Sequence, residues 1–373
     1  WDRRPFESTP VGTVALDLPA EAVALHDLFA NPLAPRKNAP AGQTAFDVSF
    51  YPVFVSAEDG DALLAALRGA RATAEGEDVY AVQGTIQAGT AGRLNLLVRL
   101  FNHSLQSREG RLEFTGVGQG FRLERAEQTF TVPASEERQL VVPLAAAPGV
   151  ARKAAFAWRV RDHRGADQTG TLQVSLLQAP RKTDVKLDGD LAEWKDVPAA
   201  RIDRPEQVLL NEGRMWTGPK DCSGTLRAAW ETRHLYLALK ITDNAFFPPP
   251  TPYWQWDSVE LFLDTDLYGD WGTDSASADD RVMTFAARTK DKNAYAGPHE
   301  GAATVDGTVR RIELRIPLGD LKLRGQAGTA VGFDLAIDDA DAEGKYREVQ
   351  LIWTGSKYNY RDPSHYGVLL FAE

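Results

Sequence analysis

The chain has 373 residues, 43% hydrophobic and 25% charged, with a net charge of −10. At roughly 150 residues per domain it holds two or three folded units, and its ordinary apolar content excludes wholesale disorder. No apolar run approaches the ~18–20 residues of a membrane helix, and an acidic chain without a visible basic face repels phosphate backbones, so neither a membrane span nor nucleic acid is expected. The single cysteine, Cys222, excludes an internal disulfide and a cysteine metal cluster. A start at Trp1, without methionine or signal peptide, reads as a processed product or excised fragment.

Strand signals dominate from the start. Val11–Leu18 and Ala22–Leu28 alternate apolar and polar residues, and Ala45–Val55 is a longer β-rich run with Pro52 marking an edge or bulge. Asp61–Arg71 has helical composition and spacing, with Asp59 or Asp61 as the N-cap. Seven strands are then predicted at near-regular spacing: Tyr80–Gln87, Leu94–Asn102, Arg111–Thr115, Phe130–Val132, Gln139–Leu144, Ala155–Arg161 and Thr169–Leu177. That spacing fits an immunoglobulin- or fibronectin-like sandwich with Trp158 in its core. Gln178–Thr183 reads as a short linker.

Beyond it the texture changes. Seven of the nine tryptophans lie past residue 180, and aspartate is frequent. Further strands are predicted at Thr225–Trp230, Leu235–Thr242, Val259–Asp264, Val282–Ala287, Val309–Ile316, Gly332–Ile337, Val349–Trp353 and Gly367–Phe371, with one helical turn at Leu318–Leu321. The fold class is all-β: tandem β-sandwich domains, with a β-rich N-terminal segment over 1–74, a sandwich over 75–180 and a second over 184–373.

Catalytic motifs are missing. The sequence holds no G-x-S-x-G elbow, no phosphate-binding glycine loop and no H-E-x-x-H helix, and its six histidines are scattered. Acidic β-proteins offer carboxylate pairs by chance, so a pair alone does not indicate a glycosidase. The chain is read as no enzyme.

Acidic loops are more specific. Asp264, Asp266, Asp270, Asp274, Asp279 and Asp280 share one loop, Asp188, Asp190 and Glu193 a second, and Asp338, Asp339 and Asp341 a third. Aspartate favours turns by itself, but calcium takes six to eight oxygens on such connections. A structural calcium is expected, with Asp188, Asp190, Asp264, Asp266 and Asp280 as candidate ligands. Aromatic loops are the other signal. Trp254 and Trp256 follow the prolines at 248–250 and 252 and lead into a strand, and Tyr358 and Tyr360 sit in a late polar loop. Flat rings on stiff loops stack on pyranose faces, at about 1–3 kcal/mol per ring by area. Glu260, Arg281 and Asn359 would bond the hydroxyls. The alternative is that these rings belong to the core.

The run Asp188-Gly189-Asp190, Glu193-Trp194, Ala229-Trp230, Leu235-Tyr236-Leu237 and Asp243 resembles the family 9 carbohydrate-binding modules. So do Asp257-Ser258-Val259-Glu260-Leu261-Phe262-Leu263-Asp264 and the closing Arg361-Asp362-Pro363-Ser364 with Tyr366-Gly367. These matches run in order over about residues 183–373. The resemblance implies a DOMON-like β-sandwich with bound calcium and two aromatics clamping a terminal glucose- or xylose-based sugar. Carried over residue by residue, Trp254 and Tyr360 are the clamps, Glu260 the strand glutamate and Arg281 the binding arginine. The sequence departs from the family at Tyr360, where sugar-binding members carry tryptophan, at Ala336, where a polar residue is expected, and at Lys357 and Tyr358, which replace amides. More weakly, Gly12–Val55 resembles the closing strands of a glycoside hydrolase β-domain, with the catalytic barrel upstream. The expected function is non-catalytic carbohydrate binding in the C-terminal part of a secreted, bacterial-type polysaccharide-active enzyme, or one retained in the periplasm or at the cell surface. Its partners would be an oligo- or polysaccharide and the upstream catalytic domain. The rival is a structural or protein-interaction module with no sugar ligand.

Overall fold

The structure, a computed structural model, describes residues 12–27, 30–37, 39, 41–48, 53–73, 79–89, 93–104, 106–211, 216–247, 254–267, 277–287, 295–341 and 347–373. It is all-β apart from one α-helix and a few 3-10 turns.

The first segment has two small sheets. Strands β1 (Gly12–Leu16), β4 (Thr44–Val48) and β6 (Arg71–Thr73) form one, and β2 (Ala24–His26), β3 (Pro32–Leu33) and β5 (Phe54–Ser56) the other. The long run predicted over 45–55 is therefore two strands in different sheets; its residues 49–52, Pro52 among them, lie outside those described. Helix α1 spans Gly60–Arg68, and Asp59 caps it by accepting from the backbone N–H groups of Asp61 and Ala62. The helix stops short of the predicted Arg71 because Gly69 ends it and Arg71 enters β6.

The middle sandwich pairs β7 (Tyr80–Ala88), β8 (Leu94–Asn102), β10 (Phe121–Leu123) and β12 (Glu137–Ala146) in one sheet. It faces β9 (Arg108–Gly116), β11 (Glu127–Val132), β13 (Ala151–Asp162) and β14 (Asp167–Ala179). Alternation sets the core: Ala154, Phe156, Trp158 and Val160 of β13 all point inward. The short β10 escaped the sequence reading because three residues offer no alternation to detect.

The C-terminal sandwich has one sheet of β15 (Ala199–Ile202), β17 (Cys222–Trp230), β18 (His234–Asp243), β22 (Glu300–Asp306) and β23 (Val309–Pro317). The facing sheet holds β16 (Val208–Asn211), β19 (Val259–Asp264), β20 (Asp280–Ala287), β21 (Tyr295–Ala296), β24 (Ala330–Asp339), β25 (Val349–Ile352) and β26 (Gly367–Phe371). Trp230 and Trp353 lie in the core between them, and Trp194 anchors a small cluster beside Tyr236. Trp216 donates its indole N–H to the Cys222 carbonyl at 2.8 Å, a structural turn contact. Leu318–Leu321 is a hydrogen-bonded turn rather than a helical one.

The two sandwiches share a sheet. β14 pairs in parallel with β26, Leu176 opposite Val368 through Ala179 opposite Phe371. The predicted linker is therefore not a free joint. Gln178 and Ala179 extend β14, and the Gln178 side chain accepts from the Val150 N–H at 3.0 Å. Leu177 and Ala179 join the C-terminal core, while Val368 and Leu370 join the middle one. The pairing predicts one cooperative unfolding transition for residues 80–373, read by scanning calorimetry. Leu176→Ala, at a fully buried position in β14, should lower stability by about 2–5 kcal/mol without splitting that transition. Two separate transitions in the unmodified chain would refute this coupling.

Candidate functional site

The site grows from one strand. Along β24, Val331, Phe333, Leu335 and Ile337 point into the core. The alternate residues Asp334, Ala336 and Asp338 therefore occupy the outer face. β19 does the same, with Val259, Leu261 and Leu263 inward and Glu260 outward. Glu260 lies opposite Ala336, and Gln350 of β25 lies opposite Asp338. Glu260, Asp338 and Gln350 thus meet on one face.

Arg347 completes the group. Its guanidinium donates to Asp338 at 2.6 Å and to Glu260 at 3.0 Å. Gln350 Nε2 donates to the same two carboxylates, at 2.8 Å to Glu260 and 3.0 Å to Asp338. Two buried acids share one cation. Burial lifts Asp338 well above the usual carboxylate range, the Glu260 charge adds to this, and Arg347 opposes it. Glu260 is raised by burial against the pull of Arg347. The same guanidinium lies 4.7 Å from the centre of the Trp254 ring, a cation–π contact worth about 0.5–2 kcal/mol. Its backbone N–H bonds the Gln255 carbonyl at 2.7 Å. Arg347 therefore fixes the Trp254 loop onto the sheet face.

A second loop is fixed four residues earlier on β24, ~13 Å along the strand. Asp334, fully buried, accepts from the N–H groups of Thr354 and Gly355 and from the Asn359 amide at 2.8 Å. Asn359 Oδ1 accepts from the Ser356 N–H at 2.7 Å. Gly355 is required here, because a Cβ would lie 2.3 Å from Asn359 and 2.4 Å from Asp334. The loop so held presents Tyr358 and Tyr360, with the Arg361 guanidinium beside both rings.

The aromatic candidates are not core residues: Trp254 is 37% exposed and Tyr360 58% exposed. Both are anchored to the same face of β24. Trp256 is half-buried. Arg281 differs from the expectation: it lies opposite Leu263, on the other face of the sheet from Glu260, and donates to the Ala278 and Asp280 carbonyls, each at 2.7 Å. Asn359 differs from the expectation: it is buried, and its amide is used inside the loop, so it positions Tyr360 rather than offering itself to a ligand. Tyr253 and the prolines at 248–250 and 252 lie outside the described residues. Sequence reasoning missed Arg347 and Gln350. The alternation Val349-Gln350-Leu351 carried the signal for Gln350, since it sets that side chain on the same face as Asp338.

The acidic loops separate into different roles. Asp188 and Asp190 join no cluster of three carboxylates among the described residues. Asp188 accepts from the Asp190 N–H and Asp190 from the Ala192 N–H, shaping a turn whose N–H groups at 188 and 189 bond buried Glu313. Asp264 and Asp266 do converge, with Asp279 as the third member; Asp280 sits opposite Asp264 on the neighbouring strand and accepts from the Ser277 N–H. Asp270 and Asp274 lie outside the described residues.

A more buried group takes Asp339 and Asp341 from the third acidic loop and adds Asp221, Asp243 and Asp257, which were not anticipated as ligands. Asp243, Asp257 and Asp339 bring carboxylate oxygens within 4.8 Å of one another, and so do Asp221, Asp339 and Asp341. Arg310, 1% exposed, pairs with Asp243 at 2.7 Å. Three of these five carboxylates, Asp243, Asp257 and Asp339, thus act on one buried guanidinium. Burial and the neighbouring carboxylates push Asp339 to about 9 and, with Arg310 opposing, Asp257 to about 7. Asp339 Oδ1 is buried with no hydrogen-bond partner among the described residues. An all-oxygen donor set with an unsatisfied member fits a hard divalent cation such as calcium. Asp257 links this group to the site, because its carboxylate also takes the Ala340 N–H at 2.8 Å one residue before Ser258 and two after Gln255.

The architecture is that of a β-sandwich with exposed aromatics on loops held to one sheet. The family described as Carbohydrate family 9 binding domain-like matches residues 187–373, half of the chain, and the chain belongs to that family. Among curated relatives, an "Exoglucanase XynX" of Acetivibrio thermocellus is 24% identical over 155 residues, 42% of this chain and 14% of the relative. An "Endo-1,4-beta-xylanase A" of Thermotoga maritima is 23% identical over 303 residues, 79% of this chain and 26% of the relative. The chain spans about a quarter or less of the length of these relatives. A family 9 carbohydrate-binding module of Caldicellulosiruptor kristjanssonii, solved with cellotriose, is 18% identical with a TM-score of 0.41, covering 53% of this chain and 94% of that one.

The Asp334 anchor carries a pH dependence. Burial raises its carboxyl from 3.8 to about 6 against the pull of four N–H donors. A raised folded-state value means the folded chain holds the proton more tightly, so this contribution to stability is complete below about 4 and lost as pH rises through 6. Relative to Asp334→Asn, the unmodified chain should lose up to about 3 kcal/mol between pH 4 and 7, measured by urea denaturation at stepped pH. A stability difference that stays flat across this range would show Asp334 ionised throughout.

Proposed function

We propose that the chain is a non-catalytic carbohydrate-binding part of a secreted polysaccharide-active enzyme. In this reading the first segment, 1–74, and the middle sandwich, 75–180, support the binding sandwich, 184–373. Trp254 and Tyr360 stack on the faces of a terminal sugar, and Glu260, Arg347 and Gln350 supply hydrogen bonds at its rim. The carrying observation is that both rings are exposed while buried carboxylates of one strand, Asp338 and Asp334, pin their loops. Pre-set rings lose little freedom on binding, so the apolar area they cover on a pyranose appears as affinity. Family membership and the names of the relatives, which act on xylan or glucan by those names, support polysaccharide as the target. The module would raise the local concentration of substrate for a catalytic domain on the same polypeptide. No helix of the described residues is long and apolar enough to cross a membrane, which is compatible with export.

Titration calorimetry against cello- and xylo-oligosaccharides tests the assignment. Trp254→Ala and Tyr360→Ala should each weaken binding about ten- to a hundredfold while leaving the melting temperature close to that of the unmodified chain. Absence of binding to any glycan would instead favour a structural or protein-interaction role.

Calcium belongs to the same proposal. Asp243, Asp257 and Asp339, with Asp221 and Asp341 at their side, are the residues that would hold it, and Asp264, Asp266 and Asp279 are a second group. The ion would neutralise buried carboxylates and so stiffen the segment from Asp257 back to Trp254. Calcium at a hundred times its Kd should stabilise the chain by about 2.7 kcal/mol over the chelated form, seen as a rise in melting temperature. Asp339→Asn should abolish that increment, and Asp188→Asn should leave it intact. An equal melting temperature with calcium and with chelator would remove the ion from the account.

A further inference from the structure

A groove of about 810 Å³ runs between the middle sandwich and the loop over 354–366. That is within the range of roughly 300–1,000 Å³ typical of small-molecule sites. One wall comes from β7, β8 and β14, including Phe101, His103 and Gln173; the other includes Ser356, Ser364 and His365. We propose that this groove extends the sugar site and takes the neutral chain of an oligosaccharide whose terminal unit sits at Trp254 and Tyr360. The proposal rests on the carbohydrate-binding reading above and adds to it a second place of contact, built by a different sandwich.

Three observations carry it. The first is continuity. Ser356 on one side of the loop and Asp362, Ser364 and His365 on the other line the groove, and Tyr358 and Tyr360 stand on the tip between them. The loop that carries these rings is thus also a wall of the groove. The second is chemistry. Phe101 and His103 form a ring pair with centroids 4.8 Å apart, an apolar platform among hydroxyl and amide side chains. Charge is balanced: Arg99 is bonded to Glu137 at 2.8 Å, and Lys153 and Asp362 have opposite signs. Hydroxyl-rich walls with no net sign suit a neutral glycan better than a polyanion. β7 is also the edge strand of its sheet, so its outer row of backbone N–H and C=O groups faces away from β8, the strand it pairs with. Sugar hydroxyls can donate to and accept from such an edge.

The third is rigidity. The groove's two walls are held together by the parallel β14–β26 pairing and by the Ser175 and Thr354 hydroxyls, 2.7 Å apart. Gly367 permits this approach, since a Cβ there would lie 2.6 Å from Trp353 and 2.9 Å from Ser175. A groove between two rigidly joined walls needs no closure to accept its ligand.

The test is calorimetric titration of the full chain with cello- and xylo-oligosaccharides of two to six units. Affinity should rise about tenfold or more from the disaccharide to the hexasaccharide. Phe101→Ala should flatten that rise while keeping the disaccharide affinity within twofold. Phe101 is partly packed, so Gln173→Trp at an exposed position serves as a second variant that fills the groove without disturbing the core, and it should have the same effect. Equal affinity for short and long chains, or a rise that survives both variants, overturns the groove and leaves the terminal-sugar site standing. Failure of the unmodified chain to bind any of these sugars overturns both.

Discussion

The site depends on carboxylates placed on the outer face of one buried strand. Asp334 and Asp338 of β24 cannot reach bulk water, so each must be satisfied by the protein. The groups that satisfy them belong to loops. Asp338 takes Arg347, which covers Trp254; Asp334 takes the backbone and amide of the loop that displays Tyr360. A requirement of the folded interior, that no acid be left unpaired, thereby fixes the positions of two exposed rings. Polar groups hold what apolar packing would leave loose, since neither ring is buried enough to be located by its own contacts.

Much of the fold was legible because its signals are local. Alternation in stretches such as AFAWRV over 155–160 states which residues face inward, and the strands of both sandwiches follow it. The order of motifs over the last half of the chain pointed to the family before any coordinates. What was illegible is non-local. Nothing in QAPRKT over 178–183 says that its first two residues extend a strand, because the partner, Val368–Phe371, lies about 190 positions later. Polarity and a proline mimic a linker when the pairing that overrides them is distant.

The site shows the same division. The setting of Trp254 and Tyr360 suggested exposed rings, and both are exposed. Arg347 was not readable, because a single arginine in KYREVQ has meaning only through the face of the strand two ladders away. Asn359 misled for a related reason: an amide beside aromatics reads as a ligand contact, yet here it is spent on Asp334. The metal candidates divided in the same way. Clustering along the sequence favoured Asp188 and Asp190, which form a self-contained turn. Clustering in space selects Asp243, Asp257 and Asp339, each from a different stretch of chain.

The parallel register of β14 with β26 has a mechanical meaning. A load that runs along these strands shears the ladder from Leu176–Val368 to Ala179–Phe371 as a unit. Its hydrogen bonds then resist together instead of parting one after another from an end. An anchor of this kind would hold its angle to the fibre under drag, as a bracket does and a rope does not.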